Sequence, residues 1–201
     1  MNLPITRDQA REACRWLKSC FGPELELGAP APFTADHLCG IACQETAYFW
    51  LPFIDRLTPA EILARCVLDA SGDTADSSRS AFPRNTAAFV AEYGWDFADI
   101  LIGEGNRTRA IRGYRPWRKI YKGYGIFQYD LQFVIEDEVF FRTAQWHDLR
   151  CVLARVAKEL RRTHARHQEV KEAIRAYNGA GPAARRYADN VMIYTGISRS
   201  V

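Results

Sequence analysis

The stretch Thr34-Ala-Asp-His-Leu-Cys-Gly-Ile-Ala-Cys-Gln-Glu-Thr46 indicates the fold best, because it reads as an amphipathic helix capped by Thr34. The helix is expected to continue to about Tyr48, and its apolar stripe consists of Leu38, Ile41, Ala42 and Phe49. Glu45 falls on the same stripe by its i+4 and i+7 spacing. A carboxyl facing a core or cleft loses hydration, which raises its pKa towards the range of a general acid. Two interpretations remain open for Glu45: an acid facing a cleft, or a structural carboxylate paired with an arginine.

Helical patterns continue on both sides of this stretch. Thr6 and Gln9 predict a capping box for a first helix that ends at Gly22-Pro23, and Thr58-Pro-Ala-Glu61 combines a capping box with a proline at the first helical position. Further helices are expected over 85–94, 97–111, 137–142, 148–164, 168–177 and from 182 onwards. The region around 114–133 is aromatic and punctuated by glycine, which predicts turns with short strands. The expected fold class is mainly α, with a small α+β element.

Two further segments carry polar side chains next to glycines. In Gly123-Tyr-Gly-Ile-Phe-Gln-Tyr-Asp130, the side chains of Gln128 and Asp130 share one side of an extended chain, and two glycines permit close backbone approach. A plain turn into a strand explains these glycines equally well. Ala173-Ile-Arg-Ala-Tyr-Asn-Gly-Ala-Gly181 reads as a helix that stops at Asn-Gly.

In this order, the three segments resemble the lysozyme-like superfamily. Cys39-Gly-Ile-Ala-Cys-Gln-Glu-Thr46 resembles the helix of goose-type lysozymes and lytic transglycosylases that ends in the catalytic Glu followed by Ser or Thr. Gly125-Ile-Phe-Gln128 is similar to the Gly-Leu-Met-Gln turn of these families. Ala176-Tyr-Asn-Gly179 is similar to their Tyr-Asn-Ala/Gly-Gly segment. Each motif is short, and it is their order along the chain that makes the resemblance specific.

The resemblance implies a function and a set of site residues. It makes Glu45 the catalytic acid, and it places Gln128, Tyr177 and Asn178 along the cleft, where they orient the sugar N-acetyl group or the acid. Tyr124, in the same glycine-flanked segment as Gln128, is expected to bind substrate with them. The implied activity is a glycosidase acting on β-1,4 bonds between N-acetylated amino sugars, with peptidoglycan as first substrate (a muramidase) and chitin or chitosan second. No cofactor is required.

Asp130 separates two types of reaction within the resemblance. Goose-type lysozymes carry an Asp two residues after the Gln of this turn, and this chain reads Gln128-Tyr-Asp130. Asp130 would then hold a water for inverting hydrolysis, with the two carboxyls roughly 6.5–9.5 Å apart. A turn or N-cap aspartate is the alternative interpretation. Lytic transglycosylases rely on a single Glu and give 1,6-anhydro products, and a non-catalytic carbohydrate-binding module or an interaction protein is the alternative outside the enzymes.

The sequence departs from these families in the length of one connection. Between Glu45 and Gln128 lie 82 residues, so we expect a single domain over 1–201 with an insertion at about 49–121. The insertion is rich in aromatic residues and arginines, among them Trp50, Trp95, Trp117, Arg79 and Arg107. Because aromatic rings stack on sugars and arginines bind carboxylates, the insertion is interpreted either as substrate subsites or a lid, or as an additional core layer.

Composition excludes several classes of protein. The chain has 201 residues, of which 48% are hydrophobic and 25% charged, as in ordinary globular proteins and unlike collagen, coiled coils or disordered chains. No apolar run approaches the length of about 18 residues that spans a membrane. Residues 150–201 hold 11 Lys+Arg against 4 Asp+Glu, which favours either an anionic partner or a solvated helix face. The expected partner is a peptidoglycan-like or chitin-like polysaccharide rather than nucleic acid or an integral membrane contact, and the expected state is a monomer.

The first residues and the cysteines bear on location. The stretch Met1-Asn-Leu-Pro-Ile-Thr-Arg-Asp8 offers no apolar segment, so no signal peptide is predicted. We expect a protein made in the cytoplasm that reaches the cell wall by lysis or a leaderless secretion route. The spacing of His37, Cys39 and Cys43 differs from zinc signatures, so no metal site is predicted. The six cysteines are expected to be reduced, although a disulfide stays open.

Overall fold

The computed structural model describes residues 3–201, and helices predominate in this part of the chain. The mainly α prediction is confirmed. The helices are α1 (Arg7–Gly28), α2 (Ala35–Glu45), α3 (Ala47–Trp50), α4 (Pro59–Arg65), α5 (Thr86–Ile111), α6 (Glu138–Arg142), α7 (Leu149–His167), α8 (Val170–Asn178) and α9 (Gly181–Ser198). The strands are β1 (Val67–Leu68), β2 (Gly123–Tyr124) and β3 (Tyr129–Asp130). Residues 3–59 and 149–201 form one compact unit, here called the terminal unit, and residues 60–148 form another, the central unit.

Helix α1 begins where the sequence predicts and ends later. The Thr6 hydroxyl accepts a hydrogen bond from the Gln9 backbone N–H (3.2 Å), and the Gln9 side chain accepts one from the Thr6 N–H (2.9 Å), so the capping box is confirmed. The predicted end at Gly22-Pro23 is wrong, because the helix continues to Gly28 after a non-helical residue at Phe21 (φ −139°, ψ 16°). Pro23 is tolerated because it lies in the first turn after this break, where its missing N–H has no partner to lose.

The core of the terminal unit is built around the contact of α2 with α9. Gly40 makes this contact close, since a Cβ at this position would lie 2.7 Å from the Thr195 hydroxyl and 2.8 Å from the Val191 carbonyl. The Ser198 hydroxyl donates to Asp36 (2.7 Å), at the start of α2 and the end of α9. These contacts show that the two helices run antiparallel, so the end of α2 faces the beginning of α9.

Helix α2 ends at Glu45. The prediction that one helix continues to about Tyr48 is wrong, because Thr46 (φ −140°, ψ −9°) interrupts it before α3 begins. The Thr46 hydroxyl fixes this break: it accepts a hydrogen bond from the Trp50 indole (3.0 Å) and donates to the Ala42 carbonyl (3.4 Å). Glu45 is therefore the last residue of α2.

In the central unit, α5 follows the predicted boundaries. The Asn85 side chain caps the helix by accepting a hydrogen bond from the Ala88 N–H (2.9 Å). Gly94 has a positive φ (78°) and divides α5 into two segments, which correspond to the two helices predicted on either side of it. Only glycine adopts this conformation without strain, which explains why the interruption falls there.

A small antiparallel sheet in the order β1-β2-β3 completes the central unit. Strands β2 and β3 confirm the short strands predicted around 114–133, whereas β1 is not predicted, since two residues show no alternation. The register pairs Val67 with Tyr124 and Gly123 with Asp130. Within residues 3–201, no helix has the length and apolar character needed to cross a bilayer.

Candidate active site

Glu45 has an unusual carboxyl environment. The Tyr187 hydroxyl donates a 2.6 Å hydrogen bond to Glu45 Oε1, and within residues 3–201 no arginine or lysine lies within ion-pair distance of this carboxyl. Burial raises the pKa of Glu45 to about 7, while the Tyr187 hydrogen bond acts in the opposite direction. The C-terminal position in α2 also disfavours the anion, because a helix dipole is negative at that end. Of the two interpretations left open by the sequence, the arginine-paired carboxylate does not apply.

The antiparallel contact of α2 with α9 brings Tyr187 to Glu45. Tyr187 lies in the second turn of α9, on the buried stripe that continues through Val191 and Tyr194. The sequence identifies Tyr187 only as a member of that stripe and does not predict it as a partner of Glu45. A phenol on a buried stripe carries a hydroxyl that needs a hydrogen-bond partner, and that is the signal from which the role could have been suspected.

Two other predicted site residues lie in the same unit as Glu45. Tyr177 and Asn178 are the last residues of α8, which ends at the predicted Asn-Gly, where the Gly179 N–H donates to the Arg175 carbonyl (3.1 Å). Tyr177 lies near enough to Tyr187 to contribute to raising the pKa of that phenol, and Asn178 is exposed. Glu45, Tyr187 and Tyr177 thus form one group of side chains, here called the Glu45 cluster.

Gln128 belongs to the central unit, and the hydrogen bonds of its side-chain amide stabilise the turn in which it lies. Its Nε2 donates to the carbonyls of Gly125 (2.8 Å) and Cys66 (3.2 Å). A Cβ at Gly123 would lie 2.1 Å from the side-chain oxygen of Gln128, so this glycine is required by the amide that packs against it. Gly123 is therefore explained by a close internal approach and Gly125 by its positive φ (78°), and the prediction that Gln128 binds substrate stays a prediction.

Asp130, also in the central unit, has three hydrogen bonds. Arg79 donates to both of its oxygens (3.0 and 2.5 Å), and the Gln132 backbone N–H donates to Oδ1 (2.7 Å). Asp130 is thereby the N-cap of a 3-10 helix over Leu131–Ile135, which confirms the alternative that the sequence offered. A carboxylate has about four lone-pair directions, so one is left for a water. The role of Asp130 as a catalytic base stays a prediction.

Tyr124 is a core side chain of the central unit. It is fully buried, and its hydroxyl donates to the Tyr121 carbonyl (2.9 Å). Its ring packs against Trp146, with 4.7 Å between the ring centroids. These surroundings do not fit the predicted direct contact with a substrate, because neither the ring nor the hydroxyl is accessible.

Sequence reasoning missed the ion pairs of the central unit. Arg79, with 9% of its side chain exposed, joins Asp130 and also lies 3.7 Å from Asp69. Lys122 is fully buried and paired with the carboxylate of Asp73, which also accepts hydrogen bonds from the first residue of α5. The pairs Arg79–Asp130 and Lys122–Asp73 connect segments more than 45 residues apart, and nothing in the local pattern of either segment indicates its partner.

The six cysteines are free thiols in the structure. Cys14 of α1 and Cys43 of α2 are buried with their sulfurs 3.8 Å apart, and Cys39 is buried on the same helix as Cys43. Within residues 3–201, no group of three or more histidine, cysteine or acidic side chains has a metal-binding arrangement. The thiols of Cys14, Cys39 and Cys43 serve as small core side chains between α1 and α2.

The chain was compared with family models, with curated proteins and with solved structures, and none of the three comparisons finds a match. The likeness to lysozyme-like enzymes is therefore carried by the three short motifs quoted above. The first and third motifs contribute Glu45 and Tyr177 to the Glu45 cluster, and the second motif lies in the central unit.

Proposed function

We propose that the protein is a glycosidase whose general acid is Glu45. The observation that carries the proposal is the carboxyl of Glu45 itself: it lacks a cationic partner among the described residues, is held by Tyr187, and has a pKa raised to about 7. A carboxyl with this pKa is protonated in part at neutral pH and is strong enough to protonate a glycosidic oxygen. The proposed substrate is a β-1,4-linked polymer of N-acetylated amino sugars, with peptidoglycan first and chitin or chitosan second.

Tyr187 is proposed to position the acid. Because its hydroxyl donates to Oε1, the proton of the neutral carboxyl resides on Oε2, which leaves that oxygen to face the substrate. When the proton is transferred, the hydrogen bond becomes one to an anion and strengthens, so it stabilises the carboxylate that forms. Tyr177 and Asn178, at the end of α8, are proposed to bind the sugar next to the acid.

One observation favours a second candidate within the enzymes. In the hydrolytic form of the proposal Asp130 activates the attacking water, but three of its hydrogen-bonding directions are occupied by Arg79 and Gln132. A lytic transglycosylase needs no second carboxylate, since a hydroxyl of the substrate is its nucleophile. The chemical form of the product distinguishes the two reactions.

Digestion of purified polymers tests the proposal. Wild-type protein is incubated with peptidoglycan, chitin and chitosan, and Glu45→Gln is compared with Glu26→Gln, which changes an exposed glutamate of α1. We expect turnover to fall by at least about 100-fold in Glu45→Gln, because the amide cannot donate the proton, and to stay at the wild-type level in Glu26→Gln. No cleavage of any of the three polymers, or full activity of Glu45→Gln, would refute the enzyme and favour a carbohydrate-binding module.

The products from the active polymer are then analysed by mass spectrometry in isotopically labelled water. Hydrolysis gives a reducing end that carries the labelled oxygen, and Asp130→Asn should then lower turnover heavily. Transglycosylation gives unlabelled 1,6-anhydro ends, and Asp130→Asn should then affect only stability. Anhydro products would remove Asp130 from the mechanism and leave Glu45 as the single catalytic carboxylate.

A further inference from the structure

A basic and aromatic segment of the central unit is not used by the proposed reaction. From Gly105 to Tyr129 the chain has seven lysines and arginines and no acidic residue. Several of these cations lie over aromatic rings: Arg118 over Trp95 at 4.6 Å, Arg112 over Tyr114 at 4.8 Å and Arg109 over Trp117 at 5.3 Å. The rings of Trp95 and Tyr114 are about half exposed. The segment therefore presents flat apolar faces and positive charge together.

One hollow on this surface has the size of a binding site. It encloses about 760 Å³ and is lined by Trp95, Arg118, Lys119 and Asn85, together with the loop 72–75 and the first two turns of α5. Pockets that bind small ligands measure roughly 300–1,000 Å³. We call it the Trp95 hollow, after the ring that forms one wall.

The Trp95 hollow has an unbalanced positive charge. Among the described residues that line it, Asp73 alone is acidic, and its carboxylate is already paired with the buried Lys122 and lies 4.0 Å from Lys119. Arg118 differs from these lysines: over residues 3–201, no carboxylate lies within ion-pair distance of its guanidinium, which rests on the Trp95 ring. The hollow thus holds one cation that a ligand can pair with, beside one exposed ring.

We propose that the Trp95 hollow binds a carboxylate-bearing sugar unit of a glycan chain, an inference that rests on the proposed function. The Trp95 ring stacks on the apolar face of the sugar, and Arg118 binds the carboxylate, for which a planar guanidinium is well suited. A nucleic acid is the competing ligand for a basic aromatic surface. It would need a row of free cations to follow its phosphates, whereas Arg109 is engaged with the Arg115 carbonyl (2.7 Å) and the Tyr121 hydroxyl (3.0 Å).

The test measures binding rather than cleavage, in the full chain carrying Glu45→Gln so that the probe survives. The probes are a soluble, peptide-free glycan fragment of peptidoglycan, in which the carboxyl of the muramic acid is free, the same fragment with its carboxyls amidated, and neutral chitotetraose. We expect Arg118→Gln and Trp95→Ala each to weaken binding of the unmodified fragment by about tenfold. Amidation of the fragment should weaken binding similarly, and added salt should weaken it as well.

Arg115→Gln is the matched control, because Arg115 is an exposed arginine of the same segment and does not line the hollow. It should bind the fragment as the parent does. Equal binding by Arg118→Gln and the parent, or equal binding of chitotetraose and the fragment, would overturn the inference. Tighter binding of a single-stranded oligonucleotide through Arg118 and Trp95 would overturn it in favour of nucleic acid.

The two proposals fail separately in this design. Loss of turnover in Glu45→Gln, together with unchanged binding in Arg118→Gln, would support the proposed glycosidase activity and refute sugar binding in the Trp95 hollow. If binding of the fragment depends on Arg118 but the protein cleaves no polymer, sugar binding in the Trp95 hollow is supported and the proposed glycosidase activity is refuted. The side chains of Arg118 and Trp95 are exposed, so their variants should melt at the temperature of the parent protein in either case.

Discussion

Glu45 and Asp130 both lie in motifs that suggest catalysis, and their surroundings differ in the charge of the neighbouring donor. Asp130 accepts hydrogen bonds from a guanidinium on both of its oxygens, so it has a cationic partner. Glu45 accepts a hydrogen bond from a neutral phenol on one oxygen, and its burial, which outweighs that hydrogen bond, favours the protonated form. The difference teaches that a motif supplies the carboxyl, while its hydrogen-bond partner comes from far away in the sequence: Arg79 in one case, Tyr187 in the other.

Removing the guanidinium of Arg79 should have the largest effect on stability. We expect Arg79→Gln to lower the free energy of unfolding by about 3 kcal/mol, because it leaves the partly buried carboxylate of Asp130 without its counter-ion. Urea denaturation measures the change. Asp130→Asn is the comparison variant and should cost about 1 kcal/mol, since an amide oxygen still accepts from Gln132 and Arg79. If Arg79→Gln unfolds at the same midpoint urea concentration as the wild type, the ion pair of Arg79 with Asp130 does not stabilise the central unit.

The pH dependence of stability tests the Glu45 side of the comparison. The pKa of Glu45 is about 7 in the folded protein against a reference value of 4.5, so the folded state binds this proton more tightly than the unfolded state. The contribution is therefore fully present below pH 4.5 and is lost as the pH rises through 7, by at most about 3 kcal/mol. Unfolding free energies of the wild type and Glu45→Gln between pH 4 and 8 measure it. A difference between the two proteins that does not change with pH would contradict the raised pKa.

The smallest predicted effect is that of the Tyr187 hydroxyl on the pKa of Glu45. Because the Tyr187 hydrogen bond stabilises ionised Glu45, Tyr187→Phe should raise the pKa of Glu45 further, by about one unit. Since Glu45 must be protonated to act as the proposed general acid, the alkaline limb of kcat/KM should move to higher pH by the same amount. A purely structural role of Tyr187 would lower kcat/KM at every pH and leave the limb in place. Tyr194→Phe, which changes a phenol on the same helix that bonds to Ile5 instead, is the control.

The sequence predicts local features of this molecule well and distant pairings poorly. The caps at Thr6 and Asn85 and the interruption at Gly94 involve residues within a few positions of one another, so they are visible as patterns. Strand β1 has two residues and forms only by pairing with β2, more than 50 residues later, so it leaves no pattern.

The same distinction holds at the candidate site. The position of Glu45 on an apolar stripe is a local signal, and it correctly indicates a desolvated carboxyl. Its partner Tyr187 lies 142 residues further along the chain, and the partner of Asp130 lies 51 residues before it. Which carboxyl meets a phenol and which an arginine depends on how helices and loops pack, and a single sequence contains that information only implicitly.

The pairing of α2 with α9 also determines when, during synthesis, Glu45 acquires its buried environment. A nascent chain that has already made Glu45 still lacks Tyr187, and it must make the whole of residues 60–148 before α7, α8 and α9 follow. Until α9 docks against Gly40, the carboxyl of Glu45 stays hydrated and ionised like that of an ordinary surface glutamate. The central unit is continuous in sequence and can form while the ribosome is still working, whereas the terminal unit must wait for its second half. The raised pKa of Glu45 thus arises only when the last helix is in place.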